Sequence, residues 1–112
     1  TSSIRRINEI DLNAMLFFVV YMKYRKISSV STVLNCSSPT VSIMLKKFSQ
    51  NFSEVLFERK SRNLTPTLFA YELFVKCEKV IYELCDIYFD VSFNVLNDKC
   101  DKWRGATLQT MH

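Results

Sequence analysis

The first long hydrophobic segment, Ile10–Tyr24, is apolar on almost every side. Asp11 or Asn13 can cap the start of a helix here. Lys23, Arg25 and Lys26 suit its end, because cations are favourable near a helix C-terminus. A helix that is apolar all round must be buried on several faces. The segment therefore predicts the central core helix of the domain.

Two shorter helices are predicted next, with a tight turn between them. Ser28 or Ser29 can cap the second helix, whose buried positions follow i, i+3, i+4 spacing: Val30, Val33 and Leu34. Residues 35–37 interrupt this pattern, and Asn35 tolerates the left-handed conformation that a tight turn needs.

The third helix has the strongest local signals. Ser37 is a good cap, and Pro39 falls in the first turn, where its missing N–H costs little. One apolar stripe follows helical spacing: Val41, Leu45, Phe48 and Phe52. The opposite face carries Pro39, Ile43, Lys46 and Gln50, flanked by Thr40 and Lys47. Two short helices with a cationic outer face on the second are typical of a helix-turn-helix.

A different pattern covers residues 55–66. Val55-Leu56-Phe57 is a short strand-like run, and Leu64-Thr65 can pair with it. The five residues Arg59 to Asn63 form a basic loop between them. This predicts a β-hairpin wing. The alternative is an ordinary solvated charged turn.

A long helix is predicted from Thr67 to about Val95, a stretch without Gly or Pro. One apolar row steps by fours and threes: Leu73, Cys77, Val80, Leu84, Ile87 and Val91. A parallel row steps by sevens: Phe74, Ile81 and Tyr88. The rows predict a coiled-coil-like dimer interface. The alternative is a helix that packs on its own core, but about 25 residues span roughly 37 Å, more than so small a domain covers.

Composition supports a folded, mainly α chain. Hydrophobic residues make up 48%, while there are only one Gly and two Pro among 112 residues. Charge is divided unevenly: residues 1–66 hold ten Lys/Arg against four Asp/Glu, and residues 67–112 hold five against seven. A basic first half suggests a polyanionic partner. The predicted divisions are a helix-turn-helix domain with its hairpin wing over residues 1–66, a linker and dimerisation helix over residues 67–96, and a polar tail over residues 97–112.

Neither an enzyme nor a cofactor is indicated. The cysteines at positions 36, 77, 85 and 100 lack the two-residue spacing of zinc or redox motifs, so we expect reduced thiols and no metal. No Gly-rich phosphate loop is present, and the only histidine is His112. The apolar run Ala14–Met22 is too short to span a bilayer, and nothing resembles a signal peptide. We expect a cytoplasmic, nucleoid-associated protein.

Several motifs follow one another in a fixed order: Asp11-Leu12-Asn13, Ser37-Ser38-Pro39-Thr40-Val41-Ser42, Leu56-Phe57-Glu58-Arg59, Arg62 and Leu64-Thr65-Pro66-Thr67. With these motifs, the stretch from Asp11 to about Glu83 resembles the N-terminal domain of LysR-type transcriptional regulators, particularly the LeuO-like subset. The resemblance implies a winged helix-turn-helix whose third helix enters the major groove. It also implies that Arg62 of the wing reaches the minor groove and that the following helix dimerises.

Three positions depart from the family pattern. Ser38 stands where Gln is common, which removes a bidentate adenine contact. Ile43 replaces a polar or basic residue, and Asn63 replaces a frequent wing Gly. The family also continues into an effector-binding domain, whereas about a dozen residues follow the long helix here. This leaves two interpretations, an excised piece of a longer regulator or a naturally short one.

These features together predict a sequence-specific DNA-binding dimer without cofactors. Its partner would be double-stranded DNA, A·T-rich because Ile43 can meet thymine methyl groups. The candidate DNA-binding residues are Ser37, Ser38, Pro39, Thr40, Ser42, Ile43, Lys46, Lys47, Arg59, Lys60 and Arg62. The alternative is a protein-interaction module that forms a heterodimer with a full-length relative and modulates it.

Overall fold

The computed structural model describes residues 2–60 and 63–89, and all structural statements below concern these ranges. The elements in chain order are α1 (Ser2–Ile7), α2 (Leu12–Tyr24), α3 (Ile27–Val33), α4 (Ser38–Ser49), β1 (Phe57–Lys60), β2 (Asn63–Pro66) and α5 (Leu68–Tyr88). A helix-turn-helix, a two-stranded antiparallel hairpin and a long helix thus follow one another, which confirms the mainly α, winged helix-turn-helix architecture. The chain divides into two compact units, the first ending at Val75 and the second beginning at Lys76.

Helix α2 is the central core helix, as its sequence predicts. The Asp11 carboxylate accepts a hydrogen bond from the Ala14 N–H at 3.1 Å, which caps the first turn. The helix ends at Tyr24 and is capped by Arg25, which has a left-handed backbone (φ 62°) and whose N–H bonds to the Tyr21 carbonyl. Buried residues occur on all sides of α2: Ala14, Phe17, Phe18, Val19, Val20, Tyr21 and Met22.

Helix α3 differs from its prediction in two respects. It begins at Ile27, and its N-cap is Lys26 with no side-chain hydrogen bond, so neither Ser28 nor Ser29 caps it. The backbone at Lys26 is extended (φ −133°, ψ 131°), as is usual at an N-cap. Val30 is fully buried, but Val33 is 47% exposed because it is the last helical residue, where the chain leaves the core. The turn at Asn35 does adopt a left-handed conformation, with φ 52°.

Helix α4 follows its prediction closely. The Ser37 hydroxyl accepts a hydrogen bond from the Thr40 N–H at 3.3 Å, and Pro39 lies in the first turn. The predicted stripe is buried at Val41, Leu45 and Phe48, whereas Phe52 lies beyond the helix and is half-buried. Phe48 stacks on Phe18 of α2, with ring centroids 4.7 Å apart. This contact fixes α4 on the core helix.

The wing forms, but with a different strand boundary. Strand β1 starts at Phe57, so Val55 and Leu56 precede it. Arg59 and Lys60 pair with Leu64 and Asn63, which places them in the strand rather than in the loop. A hairpin tip is open to water on both faces, so charged side chains can occupy strand positions there.

Helix α5 begins with a cap and is attached to α2. The Thr67 hydroxyl accepts from the Ala70 N–H at 3.2 Å and donates to the Val55 carbonyl at 2.7 Å. Arg25 donates a hydrogen bond to the Tyr71 hydroxyl and lies over the Tyr71 ring, 5.1 Å from its centroid. The first turns of α5 are therefore held to the end of the core helix.

The short helix α1 was not predicted from the sequence.

The predicted dimer rows of α5 fall into three groups. Cys77 and Ile81 are buried, Leu73, Phe74 and Leu84 are half-buried, and Val80, Ile87 and Tyr88 are exposed. Val91 and the expected end of the helix near Val95 lie outside the described residues. The dimer interface therefore stays a prediction.

The expectation of reduced thiols is wrong at Cys85. Cys36 and Cys77 are free, whereas Cys85 is disulfide-bonded. A disulfide requires that two cysteines approach in a specific geometry, with Cβ atoms about 3.5–4.5 Å apart, and sequence spacing does not reveal this. Burial raises the pKa of the Cys77 thiol to about 11, which keeps it protonated at neutral pH. In the part of the chain that the structure describes, no cluster of metal-binding side chains occurs, and no helix is long and apolar enough to cross a membrane.

Candidate nucleic-acid interface

The outer face of α4 is available to a partner. Most of the predicted contact residues on this helix are exposed: Ser38, Pro39, Ser42, Ile43, Lys46 and Lys47. Thr40 is half-buried, and its hydroxyl lies 2.9 Å from the hydroxyl of Ser37. These two hydroxyls are hydrogen-bonded to each other at the N-terminus of the helix, the end from which helix-turn-helix proteins contact base edges.

Ile43 points away from the core, as its helical phase predicts. Its side chain is 65% exposed, while Val41 and Leu45 on either side of it in the sequence are buried. Single exposed apolar residues are common on protein surfaces. Ile43, however, occupies the middle of a face that is otherwise polar and cationic.

Lys46 and Lys47 leave α4 in different directions, because successive helical residues are about 100° apart. The Lys47 ammonium lies 2.7 Å from a carboxylate oxygen of Asp11. This hydrogen bond, together with that from the Ala14 N–H, holds the pKa of the Asp11 carboxyl below its usual value. Lys46 instead lines a groove next to the wing.

The groove between α4 and the wing has a volume of about 500 Å³. Its apolar lining includes Leu45 and Leu56. Its polar lining comes from α4, from the segment before the wing and from β1: Ser42, Lys46, Ser49, Ser53, Glu54 and Arg59. The groove thus brings together two of the predicted cationic residues that lie 13 positions apart in the sequence, Lys46 and Arg59.

The wing is held in place by the core helix. The Tyr21 hydroxyl donates a hydrogen bond to the Leu64 carbonyl at 3.2 Å, and its ring meets that of Phe57 edge-on at 5.4 Å. Burial raises the pKa of the Tyr21 hydroxyl, so it stays a donor at neutral pH. Arg59 and Lys60 are exposed on β1, and Arg62 lies outside the described residues.

Two of these supporting residues were not identified as such from the sequence. Asp11 was predicted only as a helix cap, and Tyr21 only as part of an apolar segment. Both act through residues far along the chain, Lys47 and Leu64. The sequence offered two signals, the Tyr21 hydroxyl in an otherwise apolar helix and the opposite charges of Asp11 and Lys47. Neither signal specifies the partner of the residue.

The family model of the bacterial regulatory helix-turn-helix proteins of the lysR family matches residues 12–70. This match covers α2, the helix-turn-helix, the wing and the start of α5, more than half of the chain. The chain belongs to the lysR family. The resemblance found in the sequence motifs is therefore confirmed.

Curated relatives support the same assignment. The HTH-type transcriptional regulator LeuO of Escherichia coli (strain K12) is 34% identical over 65 residues, which are 58% of this chain and 21% of LeuO. The HTH-type transcriptional activator NagR of Ralstonia sp is 33% identical over 78 residues, 70% of this chain and 25% of NagR. This lysR-family chain thus spans about a fifth to a quarter of the length of the curated relatives it matches.

Solved structures show the same fold at low sequence identity. A crystal structure of the BenM DBD in complex with catB site 1 DNA matches with a TM-score of 0.63 and 17% identity, covering 70% of this chain and 84% of that one. The probable transcriptional regulator PA0477 from Pseudomonas aeruginosa matches with a TM-score of 0.64 and 24% identity, covering 71% of this chain and 27% of that one.

Proposed function

We propose that this lysR-family chain is a sequence-specific DNA-binding transcriptional regulator that acts as a dimer. Helix α4 would enter the major groove and the wing the adjacent minor groove. The observation that carries this proposal is the contrast between the two sides of α4. Three buried residues, Val41, Leu45 and Phe48, fix the helix on the core, and the exposed side combines small hydroxyls, Ile43 and cations.

The residues of this face would have two roles, contact with bases and contact with phosphates. The residues of the N-terminal half of α4 would meet base edges or the adjacent backbone, and Ser37 caps the helix. These residues are Ser38, Pro39, Thr40, Ser42 and Ile43. Four cationic residues would neutralise phosphates or line the minor groove: Lys46, Arg59, Lys60 and Arg62. Lys47 adds a further positive charge to the outer face of α4. The BenM domain of the same fold is described in complex with DNA, which supports DNA binding by this fold.

Dimerisation would use α5. Val80, Ile87 and Tyr88 are exposed apolar residues on the predicted rows, and a second copy is the simplest partner for them. A dimer would present two copies of α4 to two half-sites on one duplex. Such a regulator would work in the cytoplasm in association with the nucleoid and would have no enzymatic activity.

A second candidate is a protein-interaction module that pairs through α5 with a full-length relative. Ser38 and Ile43 favour it, because both replace residues suited to base contact. A gel shift with the isolated chain, with and without a full-length relative, separates the two functions. The proposed function predicts a shift by the chain alone. A chain that shifts no duplex but reduces binding by the relative would support the alternative.

Ile43 should confer a preference for thymine. An apolar side chain in the major groove can contact the C5-methyl of thymine, so A·T pairs should be enriched under α4. Ile43→Arg should raise affinity through a phosphate or guanine contact and shift the preference away from thymine. Selection from random duplexes with both proteins measures this shift.

Uracil substitution provides the control for the Ile43 prediction, because uracil differs from thymine only by the missing methyl. Replacing thymine by uracil at the preferred position should weaken binding of the parent and leave Ile43→Arg almost unaffected. If both proteins select the same sequences and uracil makes no difference, Ile43 does not contact bases.

A further inference from the structure

Two neighbouring lysines on α4 have different electrostatic surroundings. Lys47 is on the side of α4 that faces the start of α2, where its ammonium meets the Asp11 carboxylate at 2.7 Å. Lys46 is about 100° further round the helix and lines the groove beside the wing. Their sequence neighbourhood and charge are the same, so only their contacts distinguish them.

The charge of Lys47 is already compensated within the protein. Asp11 accepts from Lys47 and from the Ala14 N–H, so the ion pair rests on a carboxylate that the α2 cap holds in position. The lowered pKa of the Asp11 carboxyl has the Lys47 hydrogen bond as its largest cause. This contact joins the C-terminal half of α4 to the N-terminus of the core helix.

In the groove beside the wing, by contrast, the cationic side chains are not paired with a carboxylate among the described residues. Within residues 2–60 and 63–89, neither Lys46 nor Arg59 forms an ion pair. The hydroxyls of Ser42 and Ser49 lie along the same lining, although the Ser49 hydroxyl donates to the Leu45 carbonyl at 2.9 Å. One carboxylate, Glu54, also lines the groove and offsets part of its positive charge.

We propose, on the basis of the DNA binding proposed above, that this groove holds one backbone phosphate of the duplex between Lys46 and Arg59. Lys47 makes no phosphate contact. It is a positioning residue whose ion pair with Asp11 sets the placement of α4 on the core. The two lysines thus act separately, although both belong to the cationic outer face of the helix.

Salt dependence distinguishes the two roles. A cation that contacts a phosphate displaces condensed counterions, and each such contact adds about 0.9 to the negative slope of log K against log salt concentration. A lysine that is already paired with a carboxylate adds nothing to this slope. Its loss lowers affinity through the changed position of α4 and leaves the slope unaltered.

The experiment measures binding to one duplex at several salt concentrations for matched variants. Because both cations hold the same phosphate, Lys46→Met and Arg59→Met should each reduce the slope, by at most about 0.9. Lys47→Met should keep the parent slope and weaken binding by less than about fivefold, the range expected for an exposed ion pair. Glu54→Gln should strengthen binding, because it removes a carboxylate from the groove.

A double-mutant cycle tests the Lys47 role separately. Asp11→Asn retains a good helix cap and removes the charge, so it should reproduce the affinity loss of Lys47→Met. The double variant should be no weaker than either single variant. Lys47→Arg, which keeps a cation opposite Asp11, should restore parent affinity.

A slope reduced by about 0.9 in Lys47→Met, or an unchanged slope in Lys46→Met, overturns this division. Stronger binding by Asp11→Asn also overturns it, because Asp11 would then be competing with DNA for Lys47. Failure of the proposed function gives a different result, in which the parent chain itself binds no duplex at low salt. Far-UV circular dichroism of each variant excludes unfolding as the cause of a loss.

Discussion

Replacing Phe18 with alanine should destabilise the helix-turn-helix unit by about 3–5 kcal/mol, the range for truncating a buried aromatic residue. Phe18 is completely buried. Its ring stacks on Phe48 of α4 at 4.7 Å and meets Phe57 of β1 edge-on at 6.1 Å. One side chain therefore joins the core helix to both candidate DNA-contacting elements, and its loss leaves a cavity where they meet.

Urea unfolding followed by far-UV circular dichroism measures this effect. Leu12→Ala is the matched control, because Leu12 lies on the same helix but is exposed, and surface changes usually stay within about 0.5 kcal/mol. A loss below about 1 kcal/mol for Phe18→Ala would mean that α4 does not depend on this aromatic contact.

Replacing Leu84 with lysine should convert the proposed dimer into a monomer. Leu84 occupies the middle of the predicted rows on α5, next to Ile81 and Ile87. A charge in an apolar interface lacks a partner and costs several kcal/mol when one side is left uncompensated. The loss of one half-site contact should then lower affinity for a two-half-site duplex by about 10²-fold or more.

Sedimentation equilibrium measures the oligomeric state of the Leu84 variant. Glu83→Lys is the control, since residue 83 is exposed and off the apolar rows. Because Leu84 is half-buried, Ile87→Lys provides a second variant at a position that is 67% exposed in the single chain. If both variants are folded and sediment as unchanged dimers, the interface lies elsewhere.

The helix-turn-helix could be predicted from sequence because its signals are local. The Ser37 cap, Pro39 in the first turn and the apolar stripe all act within α4 itself. The wing boundary could not be predicted in the same way, because β1 extends to Lys60 through pairing with Asn63 across the hairpin. Strand length depends on such partners, and the side chains alone suggested a loop.

The candidate site was predicted as a set of residues but not as an arrangement. The charges of Lys46 and Lys47 indicate a cationic face, and the sequence assigns both to DNA. Only the fold shows that Asp11, 36 positions earlier, meets one of them and that the wing flanks the other. Likewise, the periodicity of α5 identified its apolar rows but not that Cys77 and Ile81 would be buried within the chain.

Selection from a library of random duplexes with the parent chain tests sequence-specific binding by a dimer most directly. The proposed function predicts enrichment of a defined A·T-rich sequence in two related half-sites. Their centres should be one helical turn apart, about 34–36 Å or 10–10.5 base pairs, or a multiple of that distance. A selected pool without enrichment over random duplexes, or with a single unpaired half-site, would contradict sequence-specific recognition by a dimer.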